Sequence, residues 1–233
     1  MPTGALPTSD RLPRPSSPRA ALSGWVVLAS VQIALSFAAR GDGGSPSRDI
    51  FYRYDVLVSS LILYALLIAL TVWIASAFPS LRDALGLRRF RLRWLGAAVG
   101  VVVAAAVVSQ ALEPLLHAGE EQGYSPEIWR PERALVFALN ALVAATVVPF
   151  AEELFFRGLG VRVLAALGGG GAIVATALVF SLAHGLLVAL PPLFFFALGL
   201  AWVRLRSDSV WPAVLAHGAY NGIALVLAFL TIQ

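Results

Sequence analysis

The chain has 233 residues, of which 59% are hydrophobic and only 13% charged, with a mean hydropathy of +0.81. A soluble domain carries about 25% charged residues, so there is too little polar surface here to cover a water-soluble globule. The formal net charge is +4, and in so apolar a chain it belongs to loops facing an anionic leaflet rather than to a nucleic-acid surface. Cysteine is absent, which excludes disulfides, thiolate metal sites and a cysteine nucleophile.

In chain order, residues 1–20 are rich in Pro and Ser and are expected to form a disordered cytoplasmic tail. The apolar run Leu22 to Ala39 follows. It is long enough to cross a bilayer and no convincing cleavage site follows it, so it is expected to be a first membrane helix rather than a removed signal peptide. Further candidate spans lie at 55–78, 94–112, 133–150, 172–190, 192–205 and 210–231. The expected fold is an all-α, polytopic transmembrane helix bundle of about seven spans. It forms one membrane domain, with N-terminal helices over 21–132 and a core over 133–233. Segment 133–167 is longer than one crossing needs, which fits either a long tilted helix or a span continued by an interfacial helix. The run Gly168 to Gly171 is expected to be a hinge or loop, because no Lys-Ser/Thr follows to make it a phosphate cradle.

Arginines mark alternate connections. They occur in the N-terminal tail, at Arg82, Arg88, Arg89, Arg91 and Arg93, at Arg157 and Arg162, and at Arg204 and Arg206. The intervening loop 113–132 is acidic instead, with Glu120 and Glu121 expected to be solvated. This pattern predicts an integral, multi-pass protein with a cytoplasmic N-terminus, in the plasma (inner) membrane if the source is bacterial.

Ionisable groups inside membrane segments are costly and tend to be functional. In the second half of the chain they are Glu152, Glu153, Arg157, His184, His217 and Asn221 as their polar companion. Glu153 and Arg157 are four apart, so they can pair on one helix face, while Glu152 points about a quarter-turn away. His184 follows Phe180 by four and Asn221 follows His217 by four, so each can point inward from a helix. A carboxylate with an imidazole can take a proton from water and return it to a leaving amine. A second imidazole and an amide can stabilise an oxyanion. The same set could hold a divalent ion such as zinc through Glu152, His184 and His217, although no His-Glu-x-x-His helix is present.

Glu152-Glu153-x-x-x-Arg157, Phe180-x-x-x-His184 and His217-x-x-x-Asn221 resemble, in order, the three motifs of the CAAX protease and bacteriocin-processing family, also called the Abi family, of intramembrane endopeptidases. The resemblance spans roughly residues 133–225. It implies an all-α bundle with a site inside the membrane, open toward the cytoplasm. It further implies Glu152 as the base activating water, His184 assisting, His217 and Asn221 stabilising the oxyanion, and Glu153 with Arg157 supporting the geometry. The implied partners are a peptide or protein substrate at the membrane and the lipid bilayer, with no nucleic acid.

Plainer readings exist for each residue. Glu153 with Arg157 can be a structural ion pair, either histidine a helix-to-helix hydrogen-bond donor, and Asn221 interhelical glue. Phe194, Phe195 and Phe196 read as lipid-facing packing. Two rivals to an endopeptidase stay open: a non-catalytic membrane scaffold or bacteriocin-immunity protein of the same fold, and a proton-coupled transporter using Glu and His as a relay.

Overall fold

A computed structural model describes residues 17–40, 49–122 and 128–230. The tail expected over residues 1–20 lies outside these up to residue 16, and Pro18 to Ala20 already form the first turn of a helix. Proline suits that place, because the first helical N–H has no intrahelical partner. The long helices are α1 (Pro18–Arg40), α2 (Tyr54–Ala75), α4 (Arg93–Leu116), α9 (Gly168–Leu182), α10 (Leu190–Ser207) and α11 (Trp211–Leu230). Short helices α3 (Leu81–Ala84) and α5 (Ala118–Gln122) lie in connections. A bent run joins α6 (Ala134–Ala145), α7 (Val147–Glu153), a π-helical stretch (Leu154–Gly160) and α8 (Val161–Val163). No strand occurs among the described residues, so the fold is the expected all-α bundle.

Six of these helical segments are long and apolar enough to cross a membrane. The sixth expected span, 192–205, falls on α10 and is not among them: two prolines open that helix and Arg204 and Arg206 close it. The surfaces of the spans require a lipid solvent. Val27, Ile62, Val99 and Val226 are each more than half exposed, and such a continuous apolar surface is stable only against hydrocarbon. Lipid tails give no hydrophobic drive between helices, so close packing of small side chains has to hold the bundle together. Ala98 and Ala105 of α4, Leu200 of α10 and Ala213 and Ala216 of α11 form such a seam.

The segment 131–163 is a single helical run of 33 residues. At about 1.5 Å per residue it is far longer than the roughly 30 Å hydrocarbon core. It accommodates by bending at Thr146, whose backbone leaves the helical region at φ −128°, ψ −62°. The glycine run is not a loop. Gly168 takes φ +71° to turn the chain, and the following glycines form the first turn of α9. A Cβ on Gly171 would come within 2.8 Å of the Leu167 side chain, so the tight turn needs glycine there. The expected span 172–190 ends early, at Leu182.

The helix ends define two faces. One carries the connection 76–92 and the turn between α10 and α11, tied by Val210 N–H donating to the Gly86 carbonyl at 2.9 Å and Ser209 Oγ to the Arg88 carbonyl at 2.6 Å. On it Arg88 bridges Asp83 and Asp208. The other face carries residues 49–53, 117–122, 128–133 and 183–189, tied by Arg130 to Asp49 at 2.8 Å and Ser36 Oγ to the Ala183 carbonyl at 2.6 Å. Glu121 is not free in solvent. Its carboxylate accepts from the backbone N–H groups of Leu187 and Ala189, both at 2.8 Å, and so caps the entry to α10.

The Arg88 guanidinium hydrogen bond holds the Asp83 carboxyl below its ordinary value. A carboxyl whose folded value is depressed contributes stability above its unfolded value of about 3.9 and loses it as pH falls through the lower folded value. Acidification below about pH 4 is therefore expected to lower the melting temperature of the detergent-solubilised protein. Asp83→Asn should flatten that acid dependence, which a thermal scan across pH would read.

Candidate active site

The site is built on the bend in the long helical run. Pro149 has no N–H to offer the Ala145 carbonyl four residues earlier. The carbonyls at the bend must find other neighbours, and α11 supplies them. Asn221 Nδ2 donates to the Ala144 carbonyl at 3.0 Å. Gly218, one turn away on the same helix, lies so near the Ala145 carbonyl that a Cβ would sit 2.6 Å from its oxygen. Together Gly218 and Asn221 dock α11 onto the broken backbone, which places His217 over α7.

Past the bend, Glu152 and Glu153 point in different directions, as their helical spacing predicts. Glu153 is fully buried. Its Oε1 accepts from Arg157 Nη1 at 3.0 Å and from His217 Nδ1 at 3.0 Å. Arg157 is fully buried as well, and its Nη2 donates to the Ala197 carbonyl of α10 at 3.2 Å. The pair is thus more than an ion bridge within one helix: it joins α7, the π-helical stretch, α10 and α11. All seven residues of that stretch are buried, and such irregular turns recur at functional sites.

Glu152 instead faces a cavity of about 370 Å³. Its Oε1 accepts from the Tyr64 hydroxyl at 3.2 Å, and its Oε2 makes no hydrogen bond among the described residues. That oxygen lies 3.9 Å from His217 Nε2, too far for a direct hydrogen bond. His184 sits on the exit turn after α9, not within the helix as its spacing had suggested. Gly185, at φ +65°, ends the helix there and passes so close to the Ser36 backbone that a Cβ would be 2.8 Å away. The imidazole keeps its link to the helix: Nδ1 lies 2.8 Å from the Phe180 carbonyl. A carbonyl only accepts, so Nδ1 carries the proton and the neutral ring keeps a lone pair on Nε2.

Phe180 is the hub between these groups. Its ring centroid lies 4.6 Å from that of His184 and 5.6 Å from that of His217, and the Arg157 guanidinium is 4.2 Å from its centre. Phe196 closes the other side of His217 at 5.6 Å and stacks on Tyr220. It is buried in the cavity wall, against the expectation of a lipid-facing residue, whereas Phe195 beside it is 42% exposed.

Glu152, His184, His217 and Asn221, drawn from three separate regions of sequence, thus line one cavity. Tyr64, Asn140 and Tyr220 line it too and were not singled out from sequence. A tyrosine inside the apolar run 55–78 was the available signal for the first. Asn140 holds the bundle at the second face, with Nδ2 about equally near the carbonyls of Phe51 (3.0 Å) and Arg53 (3.1 Å). As for the metal expected of Glu152, His184 and His217, no three His, Asp or Glu side chains among the described residues are grouped so as to hold an ion.

The cavity lining extends from Glu152 and His217 past Ser60, Val56 and Ala228 to Phe51 and Gly119 at the second face. No lining residue comes from the connections of the arginine-rich face.

Gly218→Ala is expected to separate α11 from the bend, with a clear fall in melting temperature and at least about a tenfold loss of any activity, because overpacking against rigid backbone costs about 1–3 kcal/mol. Gly222→Ala is the matched control. Its Cβ would meet only the Ala145 Cβ at an ordinary 3.8 Å, so it should unfold within a degree or two of the parent in the same detergent.

Comparison with known proteins agrees with the motifs. Residues 133–223 match the model of the family described as type II CAAX prenyl endopeptidase Rce1-like. No curated protein and no solved structure matches the chain. The matched segment contains every motif residue, so over residues 133–223 the chain is similar to the family described as type II CAAX prenyl endopeptidase Rce1-like.

Proposed function

We propose that the protein is an intramembrane endopeptidase that hydrolyses a peptide bond by direct activation of water at Glu152. The observation that carries this reading is the contrast between the two neighbouring carboxylates. Glu153 is fully buried and held by Arg157 and His217, whereas Glu152 lines a cavity shared with two imidazoles and accepts from the Tyr64 hydroxyl.

In this mechanism a water lies between Glu152 Oε2 and the substrate carbonyl, within reach of His184 Nε2. Glu152 takes one proton as the water oxygen bonds to the carbonyl carbon, and the carbonyl π pair becomes an oxyanion. His217, held by Glu153 through Nδ1, donates from a protonated Nε2 to that oxyanion, and the Asn221 amide adds a second donor. Collapse of the tetrahedral species breaks the C–N bond, and the proton taken by Glu152 passes to the leaving amine. The products are a carboxylic acid and an amine, which leave as carboxylate and ammonium once the acid's proton passes to the amine, and Glu152 returns to its starting state. Tyr64 keeps Glu152 aimed by donating to its other oxygen.

The cavity volume lies at the low end of the roughly 300–1,000 Å³ found for ligand sites. It suits a short extended stretch of chain, not a folded partner. The wall combines Phe51, Phe180, Phe196 and Leu225 with the polar edges of Ser60, Asn140 and Tyr220, which suits an apolar peptide whose backbone needs hydrogen bonds.

With purified protein and a membrane-tethered peptide library, Glu152→Gln should lower the cleavage rate about a thousandfold or more. Tyr64→Phe should lower it about tenfold, by losing one hydrogen bond to a carboxylate. Full cleavage by Glu152→Gln at parental folding would refute the mechanism and leave a binding or immunity role for the same cavity. Because the donors are not grouped as metal ligands, cleavage is also expected to survive prolonged treatment with a strong chelator. Loss of activity restored by zinc alone would overturn that expectation.

A further inference from the structure

We propose that the groove between α4 and α10 is a binding site for one anionic phospholipid, with an acyl chain lying in the groove and the headgroup phosphate held at Arg93 and Arg206. The site is separate from the cavity that holds Glu152, and it does not depend on the hydrolase reading.

The groove has a volume of about 360 Å³ and shares no lining residue with that cavity. Its walls include Gly100, Val101 and Ala104 of α4 and Phe195, Gly199 and Trp202 of α10. Two glycines shape it in different ways. A Cβ on Gly199 would lie 2.8 Å from the Val101 side chain, so glycine lets the two helices close beside the groove. A Cβ on Gly100 would meet no atom within 4 Å, so the missing side chain leaves open space. Gly100, Phe195 and Trp202 are exposed, which puts the groove on the outer, lipid-facing surface of the bundle. Phe195 and Trp202 are seven residues apart on α10, which at about 1.5 Å per residue makes the groove roughly 10 Å long. That is most of the roughly 15 Å of hydrocarbon in one leaflet.

One end of the groove is positively charged. Trp202 meets Trp94 edge to face, with ring centroids 6.1 Å apart. Such tryptophans sit at the boundary between hydrocarbon and headgroups. Two exposed guanidiniums stand over these rings, Arg93 at 5.3 Å from the centre of Trp94 and Arg206 at 6.0 Å from that of Trp202. Arg89 and Arg91, also exposed, precede α4. The first turn of α4 holds no acidic residue, and Asp208, two residues beyond Arg206, is tied to Arg88 and Arg204. An apolar channel that ends at an indole pair beneath two cations is complementary to an acyl chain that ends in a phosphate. A helix from a second copy fits less well. It would have to seat on the large rings of Phe195 and Trp202, whereas helices in lipid associate over small residues, and it would leave both arginines unused.

The full chain, purified in detergent, is incubated with phosphatidylglycerol or phosphatidylcholine of identical acyl chains, and retained lipid is counted by native mass spectrometry. Phosphatidylglycerol should be retained about tenfold more strongly, at one molecule per chain. Arg93→Gln combined with Arg206→Gln should abolish that preference at the parental melting temperature. Gly100→Leu should fill the groove and lower phosphatidylglycerol retention about tenfold. Gly96→Leu is the matched control: its Cβ also meets no atom within 4 Å, but Gly96 does not line the groove, so it should bind lipid as the parent does. Equal retention of the two lipids by the parent, or undiminished phosphatidylglycerol binding by Gly100→Leu, would overturn the site. A dimer lost in Gly100→Leu while lipid retention persists would assign the groove to a second copy instead. Should Gly100→Leu fail to fold, the double arginine variant decides alone, and a parental lipid preference in it would overturn the site.

Discussion

Everything at the site depends on the fully buried chain Arg157–Glu153–His217. An isolated charge in hydrocarbon is costly, and removing one member of a buried pair leaves the other uncompensated. Arg157 is held by the Glu153 carboxylate, the Ala197 carbonyl and the face of Phe180; Glu153 is held by Arg157 and His217. These contacts can be satisfied together only when α7, α9, α10 and α11 meet in one arrangement. In a membrane, where apolar packing discriminates poorly between helix rotations, such a polar node can specify the bundle. The catalytic geometry then follows from the requirement to keep a guanidinium paired.

The second constraint is a local failure of helix hydrogen bonding. Pro149 and the bend at Thr146 leave backbone carbonyls that need partners. Asn221 takes one and Gly218 lets α11 approach the other. The polar node and the bend act on the same helix pair from opposite ends of the motif His217-x-x-x-Asn221. One turn of α11 is thereby fixed at both ends, and this is what gives His217 Nε2 a defined direction toward Glu152.

The features legible in sequence were those encoded along one helix. Glu153 and Arg157 four apart, Glu152 turned aside, and His217 with Asn221 on one face follow from helical periodicity alone. What escaped depends on contacts between helices. Tyr64 reaches Glu152 only because α2 is rotated to present it, and a lone tyrosine in an apolar run does not encode that rotation. Glu121 read as solvated because its partners are backbone N–H groups of a loop more than sixty residues away. Phe196 and Phe195 differ by one residue and lie in different environments, which a uniform phenylalanine run conceals. The end of α9 at Leu182 was hidden because the apolar run continues past Gly185, where positive φ stops the helix.

The different partners of Glu152 and Glu153 explain how two adjacent glutamates can differ in role. Side-chain environment, not identity, divides the work between neighbouring carboxylates. Glu153 is fully buried, with its charge shared between a guanidinium and an imidazole. Glu152 lines the cavity, with one oxygen aimed by Tyr64 and the other without a hydrogen bond among the described residues. A quarter-turn of helix separates a structural anion from one able to accept a proton. If both faced the cavity, two like charges would compete for the same water and His217 would lose its anchor. If both were buried like Glu153, no base would remain. The Glu-Glu dipeptide serves both needs because successive residues on a helix cannot share a face, and the burial of Glu153 keeps that distinction intact.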